Sequence, residues 1–97
     1  MNTTQAQVQQ IQVTCINKVN RASGHEGITH LGGVGWKWTR QQMIVELESP
    51  HPRHAFYTRV NGRTAWIGVN SGPHGKYLQT HADGYWNNNL LALPECL

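Results

Sequence analysis

The sequence predicts a single α+β domain in which a curved antiparallel sheet of about four or five strands packs against one α-helix. Three observations predict this fold. The 97 residues are enough for one domain and too few for two. A capping sequence at Thr39 opens a stretch with helical spacing, and two alternating segments flank Asn61-Gly62. We expect residues 1–10, which are almost entirely polar, to form a flexible tail before a domain over residues 11–97.

The polar character of the chain comes from amides more than from charges. Charged residues make up 13% of the sequence, against roughly 25% in an average domain, while eight Asn and eight Gln are present. The net charge of +3 permits an acidic partner. No apolar run approaches the length of a membrane span, and two cysteines do not make a disulfide scaffold. We therefore expect a cytoplasmic protein without membrane contact, either a monomer or a weak homodimer.

Two short strands are predicted before the helix. Ile11, Val13 and Cys15 alternate with polar residues, which is the pattern of a strand with one buried face. Residues 28–31 predict a second short strand that ends at Gly32-Gly33, and the Gly-rich stretch 32–35 is predicted to be a turn. The two strands could pair through a long connection.

The helix is predicted over residues 40–48. Thr39 can cap the first turn while Gln42 reaches back to the backbone of the cap. Met43, Ile44 and Leu47 form one apolar stripe, and Pro50 ends the segment because it lacks an amide donor.

The strongest hairpin signal surrounds Asn61-Gly62, which suits the positive φ angles of a type I′ turn. A two-residue loop fixes the register of segments 54–60 and 63–69. It predicts a mostly apolar face toward the helix with the pairs Val60 and Arg63, Thr58 and Ala65, Phe56 and Ile67, and His54 and Val69. On the opposite face it predicts Arg59 beside Thr64, Tyr57 beside Trp66, and Ala55 beside Gly68.

After the hairpin, residues 76–80 predict one more strand, which Asp83-Gly84 ends. If this strand is an uncovered edge, it could pair with its mate in a dimer. Residues 87–97 predict a short helical turn or a docked tail that closes the core with Leu90 and Leu93.

The outward aromatic residues suggest a platform for single-stranded nucleic acid, because bases stack on aromatic rings while cations follow the phosphates. The candidate residues are Tyr57, Arg59, Arg63, Trp66, Lys76 and Tyr77. The alternative is ordinary packing, in which Trp36, Trp38 or the C-terminal leucines cover this face. A third interpretation is a protein-interaction module, such as a regulator or inhibitor of a larger bacterial or phage machine, with the same residues as hot spots.

A small metal-dependent or acid-base enzyme is a further class, and it would need a pocket that the sequence does not indicate. His25 and Glu26 could act as acid and base with Asp83 as an orienting carboxylate. This hypothesis requires His25 and Asp83 to lie close together in the fold. No nucleophile elbow, phosphate loop or zinc-protease motif is present, so we expect no catalytic residues and no cofactor.

The cysteines allow three interpretations. Together with His25 and His30, Cys15 and Cys96 could hold zinc, although zinc ligands usually come in close pairs. A disulfide requires the tail to fold back against the first strand, and a reducing compartment disfavours it. We expect two free thiols and no metal site.

The C-terminal sequence resembles a known family. The run Lys76-Tyr77-Leu78-Gln79-Thr80, Asp83-Gly84, Asn88-Asn89-Leu90 and Leu93-Pro94-Glu95 is similar to the typical ending of domain of unknown function 3892, a mainly bacterial family. The segments Cys15-Ile16-Asn17-Lys18 and 25–33 resemble one branch of it, in which an arginine commonly replaces Gly27. The likeness covers about residues 11–96. It implies a small cytoplasmic α+β domain, often alone in its chain, with no established activity, cofactor or catalytic residues.

Overall fold

A computed structural model describes residues 8–20 and 22–97 of the chain. This part of the chain contains one α-helix, two short 3-10 turns and eight strands. The helix is α1 (Arg40–Glu48), and the 3-10 turns lie at His25–Gly27 and Leu90–Ala92. The strands are β1 (Gln9–Gln12), β2 (Cys15–Lys18), β3 (Ile28–Gly33), β4 (Trp36–Thr39), β5 (His54–Val60), β6 (Arg63–Gly72), β7 (Gly75–Ala82) and β8 (Tyr85–Asn87).

These strands form two sheets. One has five strands in the order β1-β5-β6-β7-β8, and the other has three in the order β2-β3-β4. All neighbours are antiparallel except β1, which runs parallel to β5. The predicted α+β fold, with antiparallel strands packed against one helix, is confirmed, whereas the second sheet was not predicted.

The first extended segment passes from one sheet to the other. The amide of Val13 donates to the carbonyl of Tyr57 on β5 at 2.8 Å, and the amide of Thr14 donates to the carbonyl of Gly32 on β3 at 2.8 Å. The alternation of Ile11, Val13 and Cys15 therefore spans two strands rather than the predicted single one. The predicted pairing with the next segment is present, because Cys15 on β2 lies opposite Gly32.

The predicted N-terminal tail falls mostly on residues 1–7, which lie outside the described residues. Its last two residues do not fit that expectation. Gln9 and Gln10 belong to β1, opposite His54 and Ala55. Polar side chains do not prevent this, because strand pairing satisfies backbone groups whatever the side chains are.

The helix has the predicted bounds and the predicted cap. The amide of Gln42 donates to Thr39 Oγ1 at 3.1 Å, and the amide of Thr39 donates to Gln42 Oε1 at 2.9 Å. Two of the free N–H groups at the helix start are thereby satisfied. Met43 is fully buried on the face toward the sheets.

The hairpin between β5 and β6 has the predicted register over residues 57–60 and 63–66. Asn61 and Gly62 have φ angles of 52° and 76°, as a type I′ turn requires. Val60 lies opposite Arg63, Thr58 opposite Ala65, and Tyr57 opposite Trp66. Because side chains alternate along a strand, this register separates Phe56 from Tyr57 onto opposite faces.

One hydrophobic core joins both sheets, the helix and the C-terminal 3-10 turn. The five-stranded sheet contributes Phe56, Ile67 and Leu78, which are at most 4% exposed. The remaining core side chains are Val13, Ile16, Ile28, Leu31, Met43 and Leu90. Burial of Leu90 confirms that the C-terminal segment closes the core as a docked tail with a short helical turn.

A second tight turn extends the sheet beyond the predicted strands. Asp83 and Gly84 have φ angles of 55° and 84°, which again fit a type I′ turn. They connect β7 to β8, which pairs with Thr80, His81 and Ala82. The segment of Lys76 is therefore not the last strand of the sheet, although Lys76 itself lies beyond the residues that β8 pairs with.

The two cysteines form a disulfide bond, so the expectation of free thiols is wrong. The Sγ atoms of Cys15 and Cys96 are 2.06 Å apart and their Cα atoms are 4.9 Å apart. The condition for this bond is met because the tail returns to β2, where Ile16 and Glu95 form a parallel bridge. The two cysteines lie near opposite ends of the sequence, so the sequence did not indicate that they are close together in the fold.

No helix in the described part of the chain is long and apolar enough to cross a membrane. The α1 helix has nine residues.

The carboxylate of Glu46 on α1 fixes the start of β5. Glu46 Oε2 accepts hydrogen bonds from the amides of Arg53 at 2.7 Å and His54 at 2.9 Å, and lies 3.2 Å from His54 Nδ1. Burial raises the pKa of Glu46, but the hydrogen bonds and the nearby imidazole outweigh it and hold the pKa below its ordinary value.

A carboxylate with a lowered folded-state pKa stabilises the fold above its unfolded pKa, and this contribution is lost as the pH falls through the folded pKa. We expect Glu46→Gln to reduce stability at neutral pH and to flatten the decline in acid. Urea unfolding between about pH 6 and pH 3 measures both effects. An equally steep acid decline in wild type and variant would contradict this role of Glu46.

Candidate functional site

The candidate site lies on one face of the five-stranded sheet. We call the face that carries Phe56 and Ile67 the inner face, because these side chains enter the core. The outer face is the opposite one, which carries Tyr57 and Trp66. Both aromatic side chains are half-buried, so part of each ring remains accessible.

Four rings lie in one row across the outer face. Consecutive register partners are Tyr57 on β5, Trp66 on β6, His81 on β7 and Trp86 on β8. The ring centroids of Tyr57 and Trp66 are 5.6 Å apart, and those of His81 and Trp86 are 5.5 Å apart. Four strands place the ends of this aromatic row about 14 Å apart. The sheet therefore presents four rings in one row, with Tyr57 and Trp66 tilted by 58° to each other and His81 and Trp86 nearly perpendicular at 82°.

A glycine makes room for half of the aromatic row. Gly68 is two residues after Trp66 on the same face of β6. A Cβ atom there would lie 3.0 Å from His81 Cδ2 and 3.3 Å from Trp86 Cη2. The rings of His81 and Trp86 consequently lean over Gly68, and Trp86 is still 46% exposed.

Charge on the outer face comes from Arg59. This exposed side chain lies two residues after Tyr57 on the same face of β5, at a strand distance of about 7 Å. Among the described strand residues, alternation assigns no carboxylate to the outer face. Its polar groups are instead neutral, including Gln12 beside Tyr57 and Thr64 beside Arg59. An anionic ligand at the aromatic row would meet no acid from these strands, and the Glu26 carboxylate lies beside Gly72, about 20 Å from Trp66 along β6.

Three of the predicted site residues lie elsewhere. Lys76 has the opposite alternation from Tyr77, and its Nζ donates to Glu48 Oε2 on α1 at 2.7 Å. Arg63 is exposed at the hairpin tip, and alternation along β6 assigns it to the same inner face as Ala65. The structure thus brings Tyr57, Trp66 and Arg59 together and separates Lys76 and Arg63 from them.

Alternation along β7 assigns Tyr77 to the outer face, but Tyr77 belongs to a different cluster. Its ring is stacked on the imidazole of His25, with centroids 6.3 Å apart. A Cβ atom at Gly72 would lie 2.9 Å from the Tyr77 ring and 3.3 Å from Glu26 Oε2. Tyr77 is four residues from His81, about 13 Å along β7, so it packs against the loop before β3 instead of extending the aromatic row.

The residues expected to cover the outer face if it were packing lie on the other side. Trp36 and Trp38 contact Phe56, with ring centroids 5.5 Å and 5.3 Å from it. Leu90 is buried in the same core. These side chains therefore build the inner layer, and the specific covering layer suggested by the sequence is not on the outer face.

Two members of the aromatic row, His81 and Trp86, were missed by the sequence analysis. The signal was present in Asp83-Gly84, which is the same kind of turn pair as Asn61-Gly62. A two-residue loop at that position pairs Ala82 with Tyr85 and then His81 with Trp86. Treating Asp83-Gly84 only as the end of a strand concealed the last hairpin.

The hypothetical acid-base set is not assembled. His25 stacks on Tyr77 near one end of β7, whereas Asp83 follows the other end, about 20 Å away along the strand. Burial and the charge of Lys18 lower the pKa of His25. Its Nε2 is buried without a hydrogen-bond partner among the residues described. The condition that His25 and Asp83 lie close together is therefore not met.

The hypothetical zinc site is also not formed. Both sulfur atoms that it requires belong to the disulfide bond. No group of three or more His, Cys, Asp or Glu side chains suited to a metal ion occurs within residues 8–20 and 22–97.

The fold and the outer face define a small α+β domain with an aromatic sheet surface. Residues 12–94 match the family model described as protein of unknown function (DUF3892). The chain belongs to this family, which confirms the resemblance seen in its C-terminal sequence. Searches among curated proteins and among solved structures found no match.

Proposed function

We propose that this protein is a non-enzymatic binding module whose outer face holds single-stranded nucleic acid. The observation that carries the proposal is the aromatic row of Tyr57, Trp66, His81 and Trp86, with Arg59 beside it. Bases stack on aromatic rings without regard to sequence, and a guanidinium pairs with phosphate. The length of the row is comparable to sheet platforms that stack two or three bases.

In the proposed complex the aromatic rings and Arg59 have separate roles. Tyr57, Trp66 and Trp86, which is 46% exposed, supply stacking surfaces, and Arg59 meets the backbone at one end of the row. The small electrostatic component predicts modest affinity and a shallow dependence on salt, because few counterions are released.

The test is a fluorescence-anisotropy titration of labelled single strands of about 12 nucleotides, RNA and DNA, at about 50 and 200 mM salt. We expect Arg59→Gln to weaken binding and to lower the log-log salt slope by about 0.7, the value for one phosphate contact on a single strand. Lys76→Gln is the matched control, because it removes the same charge from the helix side of the sheet. It should leave both quantities unchanged.

Either of two results would overturn the proposal. The first is the absence of binding by wild type at the lower salt concentration. The second is an equal loss of affinity in Arg59→Gln and Lys76→Gln, since this would show a general charge effect rather than a contact on the outer face.

A second candidate function is protein interaction, and the low charge of the outer face favours it. Trp, Tyr and Arg are the residue types most enriched at binding hot spots, and Trp66, Tyr57 and Arg59 lie together here. Binding of this kind should survive moderate salt. A photocrosslinker at exposed Thr64 would capture such a partner in wild type, and Trp66→Ala should abolish the crosslink.

A further inference from the structure

The last residues of the chain lie along the outer edge of β2. The amide of Ile16 donates to the carbonyl of Pro94 at 2.9 Å, and the amide of Cys96 donates to the carbonyl of Ile16 at 3.1 Å. Asn17 Nδ2 donates to the carbonyl of Cys96 at 3.2 Å. Residues 94–97 thus cover one edge of β2, and the other edge of β2 is paired with β3.

Apart from these bonds, this segment is weakly anchored. Pro94, Glu95 and Leu97 are exposed, so they bury little apolar surface. Backbone hydrogen bonds at an exposed edge exchange with bonds to water and contribute little by themselves. The Cys15–Cys96 disulfide is therefore the main attachment of residues 94–97 to β2.

The chain just before this segment is held independently. Leu90 is fully buried in the core, and Leu93 packs against it half-buried. Loss of the disulfide should therefore free only the residues after Leu93. The core would keep its shape because none of its buried side chains follows that position.

The disulfide is also within reach of a thiol. Cys15 and Cys96 are both half-buried and line a surface cavity of about 390 Å³ with Trp36 and Lys37. A disulfide in a reducing compartment is usually transient and redox-sensing, and exposure makes exchange possible.

We propose that Cys15–Cys96 is a redox-controlled clasp that covers the edge of β2 when oxidised and opens it when reduced. A thiolate of a dithiol reductant attacks one sulfur and forms a mixed disulfide, and the second thiolate then displaces the protein sulfur. The products are two cysteine thiols and the oxidised dithiol, so two electrons and two protons pass to the protein. Opening leaves the N–H and C=O groups of Ile16 unpaired at a sheet edge, the kind of site that pairs with extended chain.

Amide hydrogen exchange on the whole chain tests the clasp, with and without dithiothreitol as the reductant. We expect exchange at Ile16 and Cys96 to accelerate roughly tenfold or more on reduction. Exchange at Val13 should stay unchanged, because its amide bonds to Tyr57 rather than to the tail. The double variant Cys15→Ser/Cys96→Ser should exchange like the reduced protein, and dithiothreitol should not change its exchange rates.

Three results would overturn the proposal. Unchanged exchange at Ile16 after reduction would show that the tail stays docked without the bond. Equal acceleration at Val13 and throughout β6 and β7 would show that the bond holds the whole fold rather than a local segment. Two free thiols that persist after exposure to oxidised glutathione would show that the bond does not form in solution.

Discussion

Replacing both Tyr57 and Trp66 with alanine is expected to weaken single-strand binding by at least about 30-fold. Stacking of one base on one aromatic ring is worth roughly 1–3 kcal/mol, so the loss of two rings removes at least about 2 kcal/mol. The two rings are neighbours, with centroids 5.6 Å apart on the outer face, so we expect the two substitutions to affect the same ligand. Anisotropy titrations at about 50 mM salt measure the change.

The control for this variant is Tyr85→Ala. Tyr85 is 77% exposed on β8, next to Trp86 in sequence but on the opposite face of the strand. The Tyr85→Ala substitution removes an exposed aromatic ring and leaves the aromatic row intact, so the affinity for single strands should stay at the wild-type value. Circular dichroism and the melting temperature confirm that each variant is folded. A folded double variant with wild-type affinity would contradict the placement of the ligand on the outer face.

The hairpin and the helix could be predicted residue by residue because their signals are local. Asn61-Gly62 fixes the turn, the turn fixes the register, and the register fixes the face on which Tyr57 and Trp66 lie. Thr39 and Gln42 likewise determine the start of the helix through their own hydrogen bonds. Each of these features depends on residues at most a few positions apart.

The features that escaped prediction depend on residues far apart in sequence. The disulfide joins residues separated by 81 positions, and composition cannot show that the tail returns to β2. The passage from β1 to β2 occurs at Val13 and Thr14, whose amides bond to different sheets although the chain stays extended. Alternation describes the side chains of an extended segment but does not identify its partners.

Only part of the candidate site could be predicted, because only some of its residues lie close together in sequence. Tyr57, Trp66 and Arg59 lie on one hairpin, so local register was enough to group them. Lys76 and Tyr77 were both included as residues of the next strand, although neighbours on a strand point to opposite faces. Alternation along β7 separates Lys76 from Tyr77, whereas the position of His81 beside Trp66 depends on the register between β6 and β7.

Phe56→Ala is expected to lower the free energy of unfolding by about 3–5 kcal/mol, the range for a buried phenylalanine. Phe56 is 1% exposed, and its ring lies 5.3 Å from Trp38, 5.5 Å from Trp36 and 5.9 Å from His54 between centroids. Truncation leaves a cavity among these rings, which are fixed by β4 and β5 and cannot collapse fully into it. Urea unfolding at neutral pH measures the loss.

Tyr57→Ala is the matched comparison, because Tyr57 follows Phe56 directly and points to the other face of β5. It removes a half-buried ring, so we expect a clearly smaller loss of stability together with the loss of binding. Phe56→Leu keeps the variant folded if Phe56→Ala does not fold, and it should lose stability without losing affinity per folded molecule. Equal destabilisation by Phe56→Ala and Tyr57→Ala would mean that both faces of β5 are packed, and the outer face would then not be free to bind a ligand.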